Sequence, residues 1–237
     1  MTLEVCASNF QSAMAALEGG AHRIELCENL SEGGTTPSLG MIRAVKRHLH
    51  IPVFVLIRPR SGDFCYTPQE YAIMQEDIHI CRQEGVEGVV FGASLPNGNI
   101  DKLTCQGLLE AAKGMETTFH RAFDEVPNME DALETLVSLG FNRILTSGQK
   151  DTALAGVVNL AQLVRAARGR IGILPGGGIS PENATEIVQK TGVKELHASL
   201  RRTITTTSPN GKYTSWQVTD RDAVQRFLKI TENASKI

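Results

Sequence analysis

Eight times along the chain, a short β-rich run is followed by a stretch with helical periodicity. The runs are Leu3–Ala7, Arg23–Cys27, Val53–Ile57, Gly88–Phe91, Thr117–His120, Arg143–Thr146, Gly172–Leu174 and Glu195–Ala198. They recur at roughly the spacing of one βα unit. Helix signals fill the gaps. Thr67-Pro68-Gln69-Glu70 is a capping box with proline at the first helical position, followed by an apolar face of Tyr71, Met74, Ile78 and Cys81. Ser180-Pro181 opens another helix that Gly192 closes, and Leu39, Ile42, Val45 and Leu49 form a stripe after Pro37. Asn128 and Thr219 are the expected caps of two more. Parallel strands joined by helical crossovers follow. Eight units without surplus elements favour a closed (β/α)8 TIM-type barrel, in one domain over residues 1–237. A doubly wound sheet is the rival, but no GxGxxG follows the first strand. A long loop is expected at about 199–218, before the last helix. Its Arg201, Arg202 and Lys212 suit a lid over an anion.

The strand interiors narrow the reading further. Glu4 and Cys6 share one parity, as do Arg23, Glu25 and Cys27, then Thr118 and His120, then Glu195, His197 and Ser199. The other parity holds Val5, Ile24, Leu26, Leu196 and Ala198. The outer face of a barrel packs on helices and must be apolar, so the polar parity points inward. Such an interior is costly unless its charges pair. Glu4 and Glu25 are expected at equivalent places on neighbouring strands, where two carboxylates cannot both ionise cheaply. Either one sits in a structural network with Arg23 or Arg143, or one serves as an acid.

Other candidates lie at strand ends, where barrels of this class carry their sites. Arg58-Pro59-Arg60-Ser61-Gly62-Asp63 forms a stiff cationic rim suited to a carboxylate or phosphate, or else an Arg–Asp63 pair that braces the loop. Gly176-Gly177-Gly178 precedes a helix start, which is either an anion-binding turn or merely a tight one. His120 and His197 end strands on the polar parity, as packing residues or as catalysts beside Glu25. Cys6 and Cys27 end neighbouring strands. Their thiolates would select Cu(I) if the strands bring them to one ion; the alternative is small buried filler.

Bulk properties exclude some classes. Charged residues make up 21% and the net charge is −2, with no block of one sign, which argues against nucleic-acid or membrane-surface binding. Five cysteines, odd in number and with no CxxC pair, read as reduced thiols. The first residues lack a signal-peptide pattern, so the cytoplasm is expected. No organic cofactor is indicated.

At these residues the chain resembles the CutC family, named for copper homeostasis. The likeness is carried by Glu4-Val5-Cys6, Gly20-Ala21-His22-Arg23-Ile24-Glu25-Leu26-Cys27, Gly33-Gly34-Thr35-Thr36-Pro37-Ser38, Ile57-Arg58-Pro59-Arg60, Thr118-Phe119-His120-Arg121-Ala122-Phe123-Asp124, Leu145-Thr146-Ser147-Gly148 and Glu195-Leu196-His197. The resemblance implies a TIM-type barrel, cytoplasmic and usually a homo-oligomer, associated with copper tolerance. It implies Cu(I) ligation by Cys6 and Cys27. The rival reading is an enzyme acting on a small anionic or phosphorylated substrate, with Glu25, His120 and His197 as catalytic groups. Arg58, Arg60 and Gly176–Gly178 would then hold the anion.

Overall fold

The computed structural model describes residues 1–234. Eight strands lie parallel: β1 (Thr2–Ala7), β2 (Arg23–Leu26), β3 (Val53–Leu56), β4 (Gly88–Phe91), β5 (Glu116–Phe119), β6 (Arg143–Thr146), β7 (Gly172–Pro175) and β8 (Glu195–Ala198). They pair in the order β7-β6-β5-β4-β3-β2-β1-β8. The one seam without a ladder runs between β7 and β8. There the backbone of Gly176 comes so near His197 that a Cβ on the glycine would stand 3.3 Å from the imidazole. The fold is the expected (β/α)8 TIM-type barrel, nearly closed.

Crossover helices follow the strands: α1 (Phe10–Gly19), α2 (Leu39–His48), α3 (Pro68–Gln83), α4 (Lys102–Ala111), α5 (Met129–Leu139), α6 (Val157–Ala167) and α7 (Pro181–Thr191). The chain then forms β9 (Arg201–Thr207), β10 (Tyr213–Thr219) and α8 (Arg221–Ala234). Local chemistry explains the helix starts. Thr67 and Glu70 close a reciprocal capping box on α3, and Asn128 Oδ1 accepts from the amides of Glu130 and Asp131 on α5. Asn183 Oδ1 accepts from the Ser180 amide at the head of α7. No helix among the described residues is long and apolar enough to cross a membrane.

Strand parity divides the molecule into two apolar zones. Leu3, Val5, Ile24, Val53, Val55, Val89, Phe91 and Ile144 face outward and form one core with helix residues such as Ile42, Met74, Leu108 and Ile187. Inside the barrel a separate small cluster holds Cys6, Cys27, Phe54, Leu56 and Val90. Phe54 is the hub of the lower interior: the guanidinium carbons of Arg23 and Arg143 lie 4.7 and 5.0 Å from its ring centroid. Gly88, beside Phe54 in register, makes room for that ring, since a Cβ there would stand 2.7 Å from it. Gly88→Ala is expected to cost about 1–3 kcal/mol through overpacking. Urea unfolding checks this, and an unchanged midpoint would show that the ring has space to yield.

Two expectations are corrected. Residues 199–218 are mostly not loop: β9 and β10 form an antiparallel hairpin, Arg201 pairing with Thr219 and Thr207 with Tyr213, closed by a turn at Ser208–Lys212. The threonines suit an exposed ladder, and Ser208-Pro209-Asn210-Gly211 supplies the turn. Thr219 does not cap α8. Its amide donates to Ser12 Oγ at 3.1 Å, while Asp220 Oδ1 accepts from the amides of Asp222 and Ala223. An aspartate directly before the first turn displaces the threonine as cap.

Candidate functional site at the barrel mouth

The lowest polar layer is an ion-pair network. Glu4, fully buried, accepts from Arg23 Nε at 2.5 Å and lies 2.8 Å from His197 Nδ1. Arg23 also reaches Glu195 at 2.7 Å, and Arg143 bonds Glu116. Burial works to raise the pKa of Glu4, but Arg23 and His197 outweigh it and bring it down to about 2. The register places Glu4 opposite Arg23 and Glu25 opposite Cys6. Glu25 therefore stands one inward position above Glu4 and not level with it, because the barrel's shear offsets neighbouring strands. The two carboxylates and His197 still converge, with ligand atoms within 4.8 Å of one another.

The next layer holds the thiols. Cys6 Sγ lies 3.6 Å from Cys27 Sγ and 3.7 Å from Glu25 Oε1. Both cysteines are buried and free, and Glu25 Oε2 has no partner among the described residues. Burial, with some help from Glu4, pushes the Glu25 carboxyl up to about 7. The bond to Cys27 and burial push the Cys6 thiol well up. Burial resists charge on His197, but Glu25, Cys6 and Glu4 together raise its pKa well above the ordinary value.

Above these layers a cavity of about 270 Å³ opens at the C-terminal ends of the strands. Glu25, Arg58, His120 and His197 all line it, as do Gly177 and Gly178. Gly176 does not: its amide extends the ladder to Thr146 O. Arg58 is largely committed to the protein. Its terminal nitrogens donate to the carbonyls of Glu32, Gly34 and Gly62, joining the loops after β2 and β3, and Nε lacks a partner among the described residues. Arg60 lies outside the cavity, held by Glu70 at 2.5 Å and Asp63 at 2.9 Å. That is the loop-bracing pair weighed against anion binding, now shared with the α3 cap.

His120 is buried against Phe64, with ring centroids 4.6 Å apart. Burial, then Arg58, pushes its pKa down to about 3. The ring is neutral, and Nδ1 accepts from the Ala122 amide at 3.3 Å, which leaves the proton on Nε2. Nε2 has no partner. The residues after His120 bind β5 to β6: Asp124 accepts from Thr146 Oγ1, the amides of Ser147 and Gln149, and Arg121 Nε. Arg121, Ser199 and Arg201 also line the cavity. Ser199 shares the inward parity of β8 and Arg201 belongs to the segment expected to close over an anion, whereas strand parity misses Arg121, which stands just past the end of β5. The one available signal was the place of Arg121 directly after His120.

A parallel eight-stranded barrel whose mouth gathers buried carboxylate, imidazole, guanidinium and thiol groups defines a TIM-type barrel protein with a polar cavity at the strand C-termini. The chain belongs to the CutC family, whose sequence model matches residues 1–202. It is 48% identical over 201 residues to the copper homeostasis protein cutC homolog of Homo sapiens, covering 85% of this chain and 74% of that protein. A CutC family protein of Xanthomonas axonopodis pv. citri is 43% identical over 243 residues, covering 99% of this chain and all of its own. The crystal structure of CutC from Streptococcus agalactiae superposes with a TM-score of 0.81 at 38% identity, covering 84% of this chain and 98% of that one.

Proposed function

We propose that this protein serves copper homeostasis by binding Cu(I) through Cys6 and Cys27, in a reducing cytoplasm and as a homo-oligomer. The observation that carries the reading is the pair of free, buried sulfurs 3.6 Å apart on neighbouring strands. Two soft donors at that separation suit a soft monovalent ion, and the names of relatives point the same way. The donor set has a third member, since one atom each from Cys6, Cys27 and Glu25 lies within 4.8 Å. Cys6 lines the cavity, which provides an entry path. Ligation requires loss of the thiol protons. Glu25 Oε1, 3.7 Å from Cys6 Sγ, is the base within reach of one of them.

Anaerobic titration of the reduced chain with Cu(I) against a chromophoric chelator tests this. About one ion per chain is expected for the native sequence and none for the Cys6→Ser, Cys27→Ser double variant. Undiminished copper binding by a folded double variant would remove the thiols from the role.

A further inference from the structure

The cavity is larger than a copper ion needs. Its 270 Å³ is close to the lower range of small-molecule pockets. One wall is made by the chain after β7 and β8, the latter strand being the neighbour of β1. Gly177 and Gly178 take φ of +99° and +68°, and their carbonyls are tied back by the Ala153 amide and Asn183 Nδ2. The amides of Gly177, Gly178, Ile179 and Ser199 have no acceptor among the described residues, although all four residues line the cavity. α7 starts just beyond, so its positive dipole end adds to them. Arg121 and Arg201 bring two cations to the same wall. Arg121 reaches Asp124 and Ser147 through Nε and Nη2, and its Nη1 stands close over Gly177.

On the other side Glu25, Arg58 and His120 line the cavity, each at most 5% exposed, and each carries a buried polar atom without a partner among the described residues: Oε2, Nε and Nε2. Leaving such an atom unpaired is costly, and an acceptor and two donors on residues lining one cavity match a compound bearing hydroxyl or carbonyl oxygens.

The geometry points to a binding site for a small phosphorylated organic compound. Its phosphate sits on the amides of Gly177, Gly178, Ile179 and Ser199 between Arg121 and Arg201, and its oxygen-bearing carbons lie against Glu25, Arg58 and His120. The site shares Glu25 and the cavity with the copper reading, but its anion rests on the glycine loop and the arginines, which that reading does not use.

The test uses the full, copper-free chain labelled with 15N. It is titrated with inorganic phosphate, glycerol 3-phosphate and ribose 5-phosphate, with glycerol and ribose as controls. The amides of Gly177, Gly178, Ile179 and Ser199 should move with the phosphorylated probes and stay still with the controls. The organic phosphates should bind at least about tenfold more tightly than phosphate itself. Arg201 is exposed on β9, so Arg201→Ala should leave the fold intact while weakening all phosphorylated probes by about tenfold. Cys27→Ser, at a residue that does not line the cavity, should bind them as the native chain does. No response to any phosphorylated probe overturns the site. So do shifts scattered over surface amides and unchanged by Arg201→Ala, which mark adventitious ion binding only. Failure of the copper titration, by contrast, bears on the thiols alone.

Discussion

Glu4→Gln is expected to destabilise the protein by about 3–5 kcal/mol, the cost of removing one partner from a buried ion pair. Glu4 is fully buried and holds two cationic or donor groups at once: Arg23 at 2.5 Å and His197 at 2.8 Å. Glutamine keeps the size but not the charge. Arg23 retains Glu195, which is why the loss stays within this range, whereas His197 loses the one carboxylate that its Nδ1 touches. At roughly 2–4 °C per kcal/mol for a chain of this length, the melting temperature should fall by roughly 6–20 °C. Urea unfolding with an unchanged slope is the cleaner measurement. The Glu4→Leu, Arg23→Leu double variant should lose less than the sum of the single variants, because it removes both charges together. A loss below about 1 kcal/mol for Glu4→Gln would mean that the interior is wet enough to screen the pair, and the network would no longer explain how a polar barrel interior is tolerated.

That interior was readable from the sequence because one strand parity was apolar almost without exception. Val5, Ile24, Val55, Val89 and Leu196 can face only helices, so Glu4, Arg23, Glu25, His120 and His197 had to face one another. The same reasoning brought Glu25, Arg58, His120 and His197 to one cavity, since each lies at or just past a strand's end. It stopped where strand geometry stops. Parity says nothing of stagger between strands, so Glu4 and Glu25 seemed level when the register sets them one inward position apart. It does not extend into loops either. Arg60 is two residues beyond Arg58, yet the chain has left the strand by then and the side chain turns to Glu70. The carbonyls that occupy Arg58 belong to three different loop residues, and no sequence pattern marks a carbonyl's direction. The hairpin at 201–219 was read as loop because its strands bury little. Among its later residues only Val218 and Thr219 are buried, so the usual apolar alternation is absent. Arg201 lines the cavity, as its place in a segment suited to close over an anion suggested, but it does so from the start of a hairpin strand and not from a loop.

His120 gives the acid limb of the stability curve a distinct origin. Burial, with the charge of Arg58 next, takes its pKa from the ordinary 6.5 down to about 3. The folded-state value is depressed, so the unfolded chain binds the proton first. Stability from this group is fully present above pH 6.5 and is lost as the pH falls from 6.5 toward 3. The whole window corresponds to about 5 kcal/mol, of which about 2 kcal/mol disappears between pH 6.5 and pH 5. His120→Asn has no imidazole to protonate. The native chain should be the more stable at pH 7.5, and its advantage should shrink by about 2 kcal/mol at pH 5, other groups titrating alike in both proteins. Urea unfolding at the two pH values measures the difference. Imidazole nitrogen shifts supply the second reading: Nδ1 should appear unprotonated and Nε2 protonated, unchanged down to pH 5. A constant stability difference across this range, or a His120 ring that titrates near 6.5, would show that water reaches the imidazole. In that case Nε2 already has a solvent partner, and one of the three buried, unpaired atoms that call for a ligand in the cavity would be accounted for without one.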